Sequence, residues 1–219
     1  MLLQNETLEK NGDVLCLGAH PDDVEYGAGG TLNRLMRLGW KVRVLVFSKC
    51  TESVPRGYPP DQLVHEFHKS MRTFGIKDYS ILNYRVRSFP SVRQNILEDL
   101  VKIRNERDYD MIISSSHSDL HQDHATLGSE VQRAFQSTTV LQYEISKNRY
   151  DHNPNLFVEL GAKDLQAKLR ALKCYRSQNQ RKWVSPLNIE GLARVRGMQA
   201  DVEFAESFEI SKMLWRSRR

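Results

Sequence analysis

Between residues 14 and 144 the chain alternates strand-length apolar runs with segments whose apolar residues recur at helical spacing, and few folds accept that order. Val14-Leu15-Cys16-Leu17-Gly18 and Val42-Arg43-Val44-Leu45-Val46-Phe47 are the first two runs. Between them, Thr31 to Leu38 carries Leu32, Leu35, Met36 and Leu38 at helical spacing, and Gly39 is placed to end that helix. Strand, helix and strand at this spacing make the βαβ unit of a parallel sheet, with a right-handed crossover. The pattern then repeats. Asp61 stands as an N-cap before Leu63, Val64, Phe67, Met71 and Phe74, and Gly75 closes that helix. A strand at Ser80 to Tyr84, a helix capped by Ser91 and running through Ile103, and a strand at Tyr109 to Ser114 follow. Leu127, Val131 and Phe135 mark another helix, and Val140 to Tyr143 another strand. Further on, Leu156 to Leu160 reads as an edge strand, Lys163 to Tyr175 and Asn188 to Gly197 as helices, and Glu203 to Phe208 as a strand. The expected fold class is α/β: a Rossmann-like, doubly wound, mostly parallel sheet. It forms one domain over residues 1–219, with a core at 13–145 and a C-terminal extension at 146–219 that covers it.

Bulk properties narrow the function classes. A length of 219 residues suits one ordinary domain. No apolar run approaches the roughly 20 residues of a membrane helix, so no membrane span is expected. Met1 to Asp13 lacks the apolar core of a secretory signal. Three widely spaced cysteines, Cys16, Cys50 and Cys174, point to reduced thiols and a cytoplasmic protein. The net charge of +5 suits an anionic small molecule, but the basic residues are scattered apart from Arg216-Ser217-Arg218-Arg219, so no nucleic-acid partner is expected.

Two stretches carry chemistry. Ala19-His20-Pro21-Asp22-Asp23-Val24-Glu25 follows the first strand directly. Pro21 has no N–H to continue a ladder and keeps His20 extended. It therefore places the cluster at the carboxyl edge of the sheet, where open α/β folds bind ligands. Imidazole and carboxylate are donors of hydrolytic zinc sites, which keep one position open for water. Successive side chains of an extended segment face opposite ways, so one aspartate can bind a metal while its neighbour reaches the bound water. A plainer reading has Asp22 or Asp23 capping the next helix. The second stretch, His117-Ser118-Asp119-Leu120-His121-Gln122-Asp123-His124, follows the strand ending at Ser114. A helical turn there would align His117, His121 and His124 on one face; a solvated loop is the alternative. Gly27-x-Gly29-Gly30 lacks the spacing of a dinucleotide-binding turn.

The first stretch with its glycines, paired with His121-Gln122-Asp123-His124, resembles the PIG-L/LmbE-like family of zinc-dependent N-deacetylases. Arg196-Gly197 and Ala205-Glu206-Ser207-Phe208 are similar to that family's C-terminal elements. The resemblance implies a Zn2+ hydrolase that removes the N-acetyl group from an N-acetylglucosamine-type sugar or glycoconjugate and releases acetate. It implies His20, Asp23 and His124 as zinc ligands and Asp22 as general base. His121 would be the imidazolium that stabilises the oxyanion or protonates the leaving amine, Asp22 being the other candidate donor. Asp123 would orient one of the histidines. Relatives form trimers and hexamers, so a homo-oligomer is also an expectation. One departure stands out. Where the family has Arg-x-x-Glu after the second strand, this chain has Leu63-Val64-His65-Glu66, and Arg56 in the preceding loop is the candidate substitute for contacting substrate. The rival is a two-metal phosphoesterase or β-lactamase-like hydrolase, whose His-x-His-x-Asp-His string Asp119-x-His121-x-Asp123-His124 matches except at its first position.

Overall fold

The computed structural model describes residues 11–179 and 181–214; the basic tail at 216–219 and most of the N-terminal segment read above lie outside the described residues. Seven strands form a single sheet in the order β3-β2-β1-β4-β5-β7-β6. The strands are β1 (Asp13–Gly18), β2 (Lys41–Val46), β3 (Asp78–Ile81), β4 (Met111–Ser114), β5 (Thr139–Tyr143), β6 (Leu156–Glu159) and β7 (Ala205–Lys212). The first five are parallel, as the βαβ order requires, and β7 runs antiparallel to both β5 and β6. Crossovers run from β1 to β2 on one side and from β1's other neighbour, β4, to β5 on the other. The gap beyond the carboxyl ends of β1 and β4 is therefore the point where the winding reverses, the ligand-binding crevice of such sheets.

Period-2 alternation builds two cores from the same strands. Val14, Cys16, Val44, Val46 and Ile113 face one layer, formed by α1 (Asp23–Arg37), α2 (Gln62–Phe74), α5 (Ala162–Leu172) and α6 (Pro186–Gln199). Leu15, Leu17, Leu45, Phe47 and Ile112 face the other, formed by α3 (Arg93–Glu106) and α4 (Gln122–Ala134). Strands buried on both faces explain why the apolar runs read as continuous in sequence. Among the described residues, no helix is long and apolar enough to cross a membrane.

Several boundaries differ from the sequence expectation. Helix α1 begins at Asp23, eight residues before Thr31, and so includes the glycines. Those glycines serve packing: a Cβ on Gly27 would strike the Tyr143 ring, and one on Gly30 would strike Leu160. Asp61 does occupy the N-cap of α2, but its carboxylate bonds His65 rather than the backbone. Gly75 ends α2 with φ 78, in the left-handed region glycine tolerates. Ser91 does not cap α3; a 3-10 turn, Phe89–Val92, comes first and α3 starts at Arg93. The last strand starts at Ala205 instead of Glu203, and it inserts between β5 and β6. The C-terminal extension thus enlarges the sheet as well as covering it.

Glu206, at the start of β7, fastens this extension to α1. Its carboxylate accepts the Gly30 N–H at 2.9 Å, the Thr31 N–H at 2.7 Å and the Lys168 ammonium at 2.7 Å, all buried. Replacing Glu206 by Ala leaves a buried ammonium unpaired, a class of change that costs about 3–5 kcal/mol. Urea denaturation of the Glu206→Ala protein is expected to show that loss; a loss below about 1 kcal/mol would mean the pair contributes no more than a surface ion pair.

Candidate active site

The two remote stretches meet. His20 follows β1, and His121 and His124 open α4 after β4, so strand adjacency closes a separation of 104 residues in sequence. His20 Nδ1 lies 3.0 Å from His124 Nε2. Asp23 Oδ2 lies 3.4 Å from the first nitrogen and 3.2 Å from the second. The outer nitrogens are also held: His20 Nε2 bonds Asp123 Oδ2 at 3.0 Å and His124 Nδ1 bonds Asp119 Oδ2 at 3.0 Å. A carboxylate only accepts, so each outer nitrogen carries the proton of its neutral ring. The two inner nitrogens then present lone pairs to each other and to a carboxylate oxygen. With both rings neutral all three facing atoms are acceptors, so the triangle calls for a cation: a proton on His124 Nε2, shared with Asp23 and His20, or a metal ion in its place.

The spacing fits a metal. Ligands about 2.0–2.1 Å from a tetrahedral zinc are about 3.3 Å apart, close to the triangle seen here. His20, His121 and His124 also bring one ligand atom each within 4.8 Å of one another. The triangle containing Asp23 is the tighter one, and His121 uses its Nδ1 elsewhere, to accept the Asp123 N–H at 3.2 Å as N-cap of α4. His20, Asp23 and His124 are therefore the more compact candidate set. Carboxylate-to-imidazole contacts behind metal ligands hold tautomer and ring orientation, and Asp119 and Asp123 are so placed. Asp123 is itself held by the Arg87 and Phe89 N–H groups, at 2.5 and 3.2 Å.

The local electrostatics follow. Burial disfavours the Asp23 charge, but His124 and His20 outweigh it and hold the carboxyl well below the usual range. Burial likewise disfavours a charged His124, yet Asp23 and Asp119 push it up to about 10. Burial and the neighbouring His124 and His20 bring His121 down to about 4.

Asp22 stands apart from the triangle. Its φ of 86 is a left-handed conformation that a non-glycine residue adopts at a cost, and its side chain caps nothing. The capping alternative raised by the sequence is thereby excluded for Asp22; Asp23 instead accepts the His20 N–H at 2.8 Å. Burial, with the charge of Asp23, pushes Asp22 up to about 8, against the pull of Arg181 3.9 Å away.

A cavity of about 230 Å³ opens on this cluster. Leu63 and Val86 form apolar wall, and Lys147, Gln178, Arg181 and Trp183 line it from segments beyond β5 and α5. His117 is not part of the cluster. The helix starts only at Gln122, so the face imagined for His117, His121 and His124 does not form, and His117 bonds Gln142 at 3.1 Å. Arg56 is exposed on its loop and does not line the cavity. Asp119 was within the histidine-rich stretch, but no periodicity singled it out. Arg181 and Trp183 belong to a stretch with no motif, where only the fold reveals them.

The family described as PIG-L, GlcNAc-PI de-N-acetylase, matches residues 15–135, more than half of the chain. The chain belongs to this family. It is 25% identical over 177 residues to the uncharacterized deacetylase YaiS of Escherichia coli K12, covering 77% of this chain and 92% of that protein. It is 25% identical over 195 residues to diacetylchitobiose deacetylase of Thermococcus kodakarensis, covering 80% of this chain and 73% of that one. Its fold is similar to that of N,N'-diacetylchitobiose deacetylase from Pyrococcus horikoshii, solved with its inhibitor MPG, with a TM-score of 0.80 at 23% identity, over 96% of this chain and 87% of that one.

Asp119→Asn keeps the shape of the side chain but removes the charge behind His124. Titration with Zn2+ against a chelating dye is expected to show affinity about 10–100-fold weaker. Unchanged affinity would mean that His124 needs no orienting partner.

Proposed function

We propose that the protein is a zinc-dependent hydrolase that removes the N-acetyl group from an N-acetylated amino sugar of the N-acetylglucosamine type, releasing acetate. The observation that carries this reading is the His20–Asp23–His124 triangle beside the buried, uncapped carboxylate of Asp22. Family membership and the deacetylase relatives support it. In this reading His20, Asp23 and His124 hold Zn2+. When bound, zinc lowers the pKa of a water molecule toward 7 and polarises an amide carbonyl.

The remaining work belongs to the chain. Asp22 accepts the proton of the attacking water, at a carboxylate that burial has raised into the working range of a general base. The water oxygen bonds to the acetyl carbon, and the carbonyl oxygen becomes an oxyanion. His121 donates to that oxyanion through Nε2. The capping bond occupies its Nδ1 lone pair, so the ring is neutral with its proton on Nε2. This neutral donor replaces the imidazolium implied by the resemblance, because a proton on Nδ1 would confront the Asp123 N–H. Asp22 then returns its proton to the amide nitrogen, the C–N bond breaks, and acetate and a free amino sugar leave. Asp123 and Asp119 keep His20 and His124 aimed. Arg56 takes no part in this scheme. Two zinc ions per chain on metal analysis would favour the two-metal alternative, and one favours the deacetylase.

Purified protein loaded with zinc is to be screened for acetate release from N-acetylated amino sugars, UDP-linked forms included. Release with one zinc per chain supports the reading; a zinc-loaded protein inert on the whole panel overturns it. Asp22→Ala is expected to keep its zinc and lose about 10²–10⁴ in kcat. A fully active Asp22→Ala protein removes Asp22 from the mechanism. His124→Ala is expected to lose zinc on dialysis, checked by elemental analysis; retention of one equivalent would place the ion elsewhere.

A further inference from the structure

We propose that Arg181 and Lys147, set around the indole of Trp183 at the cavity mouth, form a phosphate-binding subsite, and that the substrate is a phosphorylated N-acetyl amino sugar. The subsite stands on its own geometry, whereas the substrate rests on the deacetylase reading above.

Lys147, beyond β5, places its Nζ 5.5 Å from the centroid of the Trp183 ring, and Arg181 places its Cζ 5.9 Å from the same centroid. Two cations from different segments thus converge on one ring in the wall of the candidate active site. Buried cations elsewhere in the fold are answered, Lys168 by Glu206 and Arg149 by Glu209, as is the half-buried Arg196 by Glu144. Among the described residues no carboxylate pairs with Lys147, and the nearest to Arg181 is Asp22 at 3.9 Å, outside hydrogen-bond reach. Two like charges on one ring repel, and attraction to the indole at so open a site compensates little. A bound anion relieves that repulsion.

The arrangement is also braced before any ligand arrives. Glu66 of α2 accepts the Ser177 N–H at 2.9 Å and its hydroxyl at 2.6 Å. Glu25 of α1 accepts the Tyr175 hydroxyl at 2.6 Å. Both carboxylates are buried, so the segment leading to Arg181 is tied to the helices that flank the metal-type cluster. Trp183 packs edge-on against Tyr26, with centroids 5.0 Å apart. Asn148 and Gln178 add neutral hydrogen-bonding groups to the same wall, suited to sugar hydroxyls. A phosphate monoester carries about 1.5–2 negative charges at neutral pH, enough to balance two cations. A carboxylate carries one and can neutralise only one of them.

The test uses the zinc-loaded full chain. Acetate release is measured from N-acetylglucosamine, its 1-phosphate, its 6-phosphate and N-acetylmuramic acid, which is a carboxylate. Binding of both sugar phosphates is measured in parallel by calorimetry. We expect kcat/KM for a sugar phosphate to exceed that for N-acetylglucosamine by about 10–100-fold, through KM. Arg181→Ala and Lys147→Ala should each cut that ratio by about tenfold. Arg181→Lys should retain most of it, and 0.5 M salt should shrink it. Turnover of the uncharged sugar with a ratio near one overturns the subsite and leaves the deacetylase reading standing. An equal advantage for N-acetylmuramic acid overturns the choice of phosphate. Sugar-phosphate binding that Arg181→Ala abolishes, with no acetate released from any compound, supports the subsite and overturns the deacetylase reading. Absence of both binding and release overturns both.

Discussion

Three acceptor atoms, His20 Nδ1, His124 Nε2 and Asp23 Oδ2, lie within 3.0 to 3.4 Å of one another. With neither a proton nor a metal ion between them this is a repulsive arrangement, and much of the surrounding structure holds the three atoms in place. Asp119 and Asp123 bind the far side of each ring. Asp123 is steadied in turn by two backbone N–H groups from the loop after β3. Pro21 and the left-handed Asp22 turn the chain from β1 into α1 within four residues, so that Asp23 faces the triangle as the first residue of a helix. The strain at Asp22 and the burial of so many ionisable groups are hard to account for by folding alone, and sites of this kind are where such costs are retained.

The extension beyond residue 145 does more than shield the sheet. Glu206 joins β7 to the middle of α1 and to Lys168 of α5, so the helix that begins at Asp23 is gripped from the C-terminal side. Glu25 and Glu66 extend that grip toward the cavity by holding Tyr175 and Ser177. At the cavity mouth Leu63 gives an apolar wall and Arg181 and Lys147 supply charge.

The groups of the metal-type cluster answer one another, whereas among the described residues no carboxylate pairs with Lys147 and Arg181 has Asp22 at 3.9 Å. In the proposed reading, reaction type belongs to the edge where β1 and β4 meet, and substrate choice to loops that follow β5 and α5.

Much was legible without coordinates, for physical reasons that act locally. Strands buried on both faces read as apolar runs, and turns of helix read at their own period, so the α/β order from β1 to β5 was visible. His20, Asp22, Asp23, His121 and His124 were visible too, because metal-type donors crowd into two short stretches and Pro21 puts the first at a strand end. What depends on contacts between remote segments was not. The insertion of β7 between β5 and β6 is a choice of pairing partners, which no local pattern encodes. The division of labour between Asp119 and Asp123 depends on which ring each one meets. The exclusion of His117 depends on α4 starting at Gln122 rather than earlier. Arg181, Lys147 and Trp183 share no motif or period; they become neighbours where the loops after β5 and α5 meet at the cavity mouth, the second loop tied down by Glu25 and Glu66. Sequence alone determined the scaffold and the donor atoms, since both arise from short-range chemistry. The tertiary structure decided which donors face one another and what stands at the mouth, since only packing brings distant segments within reach.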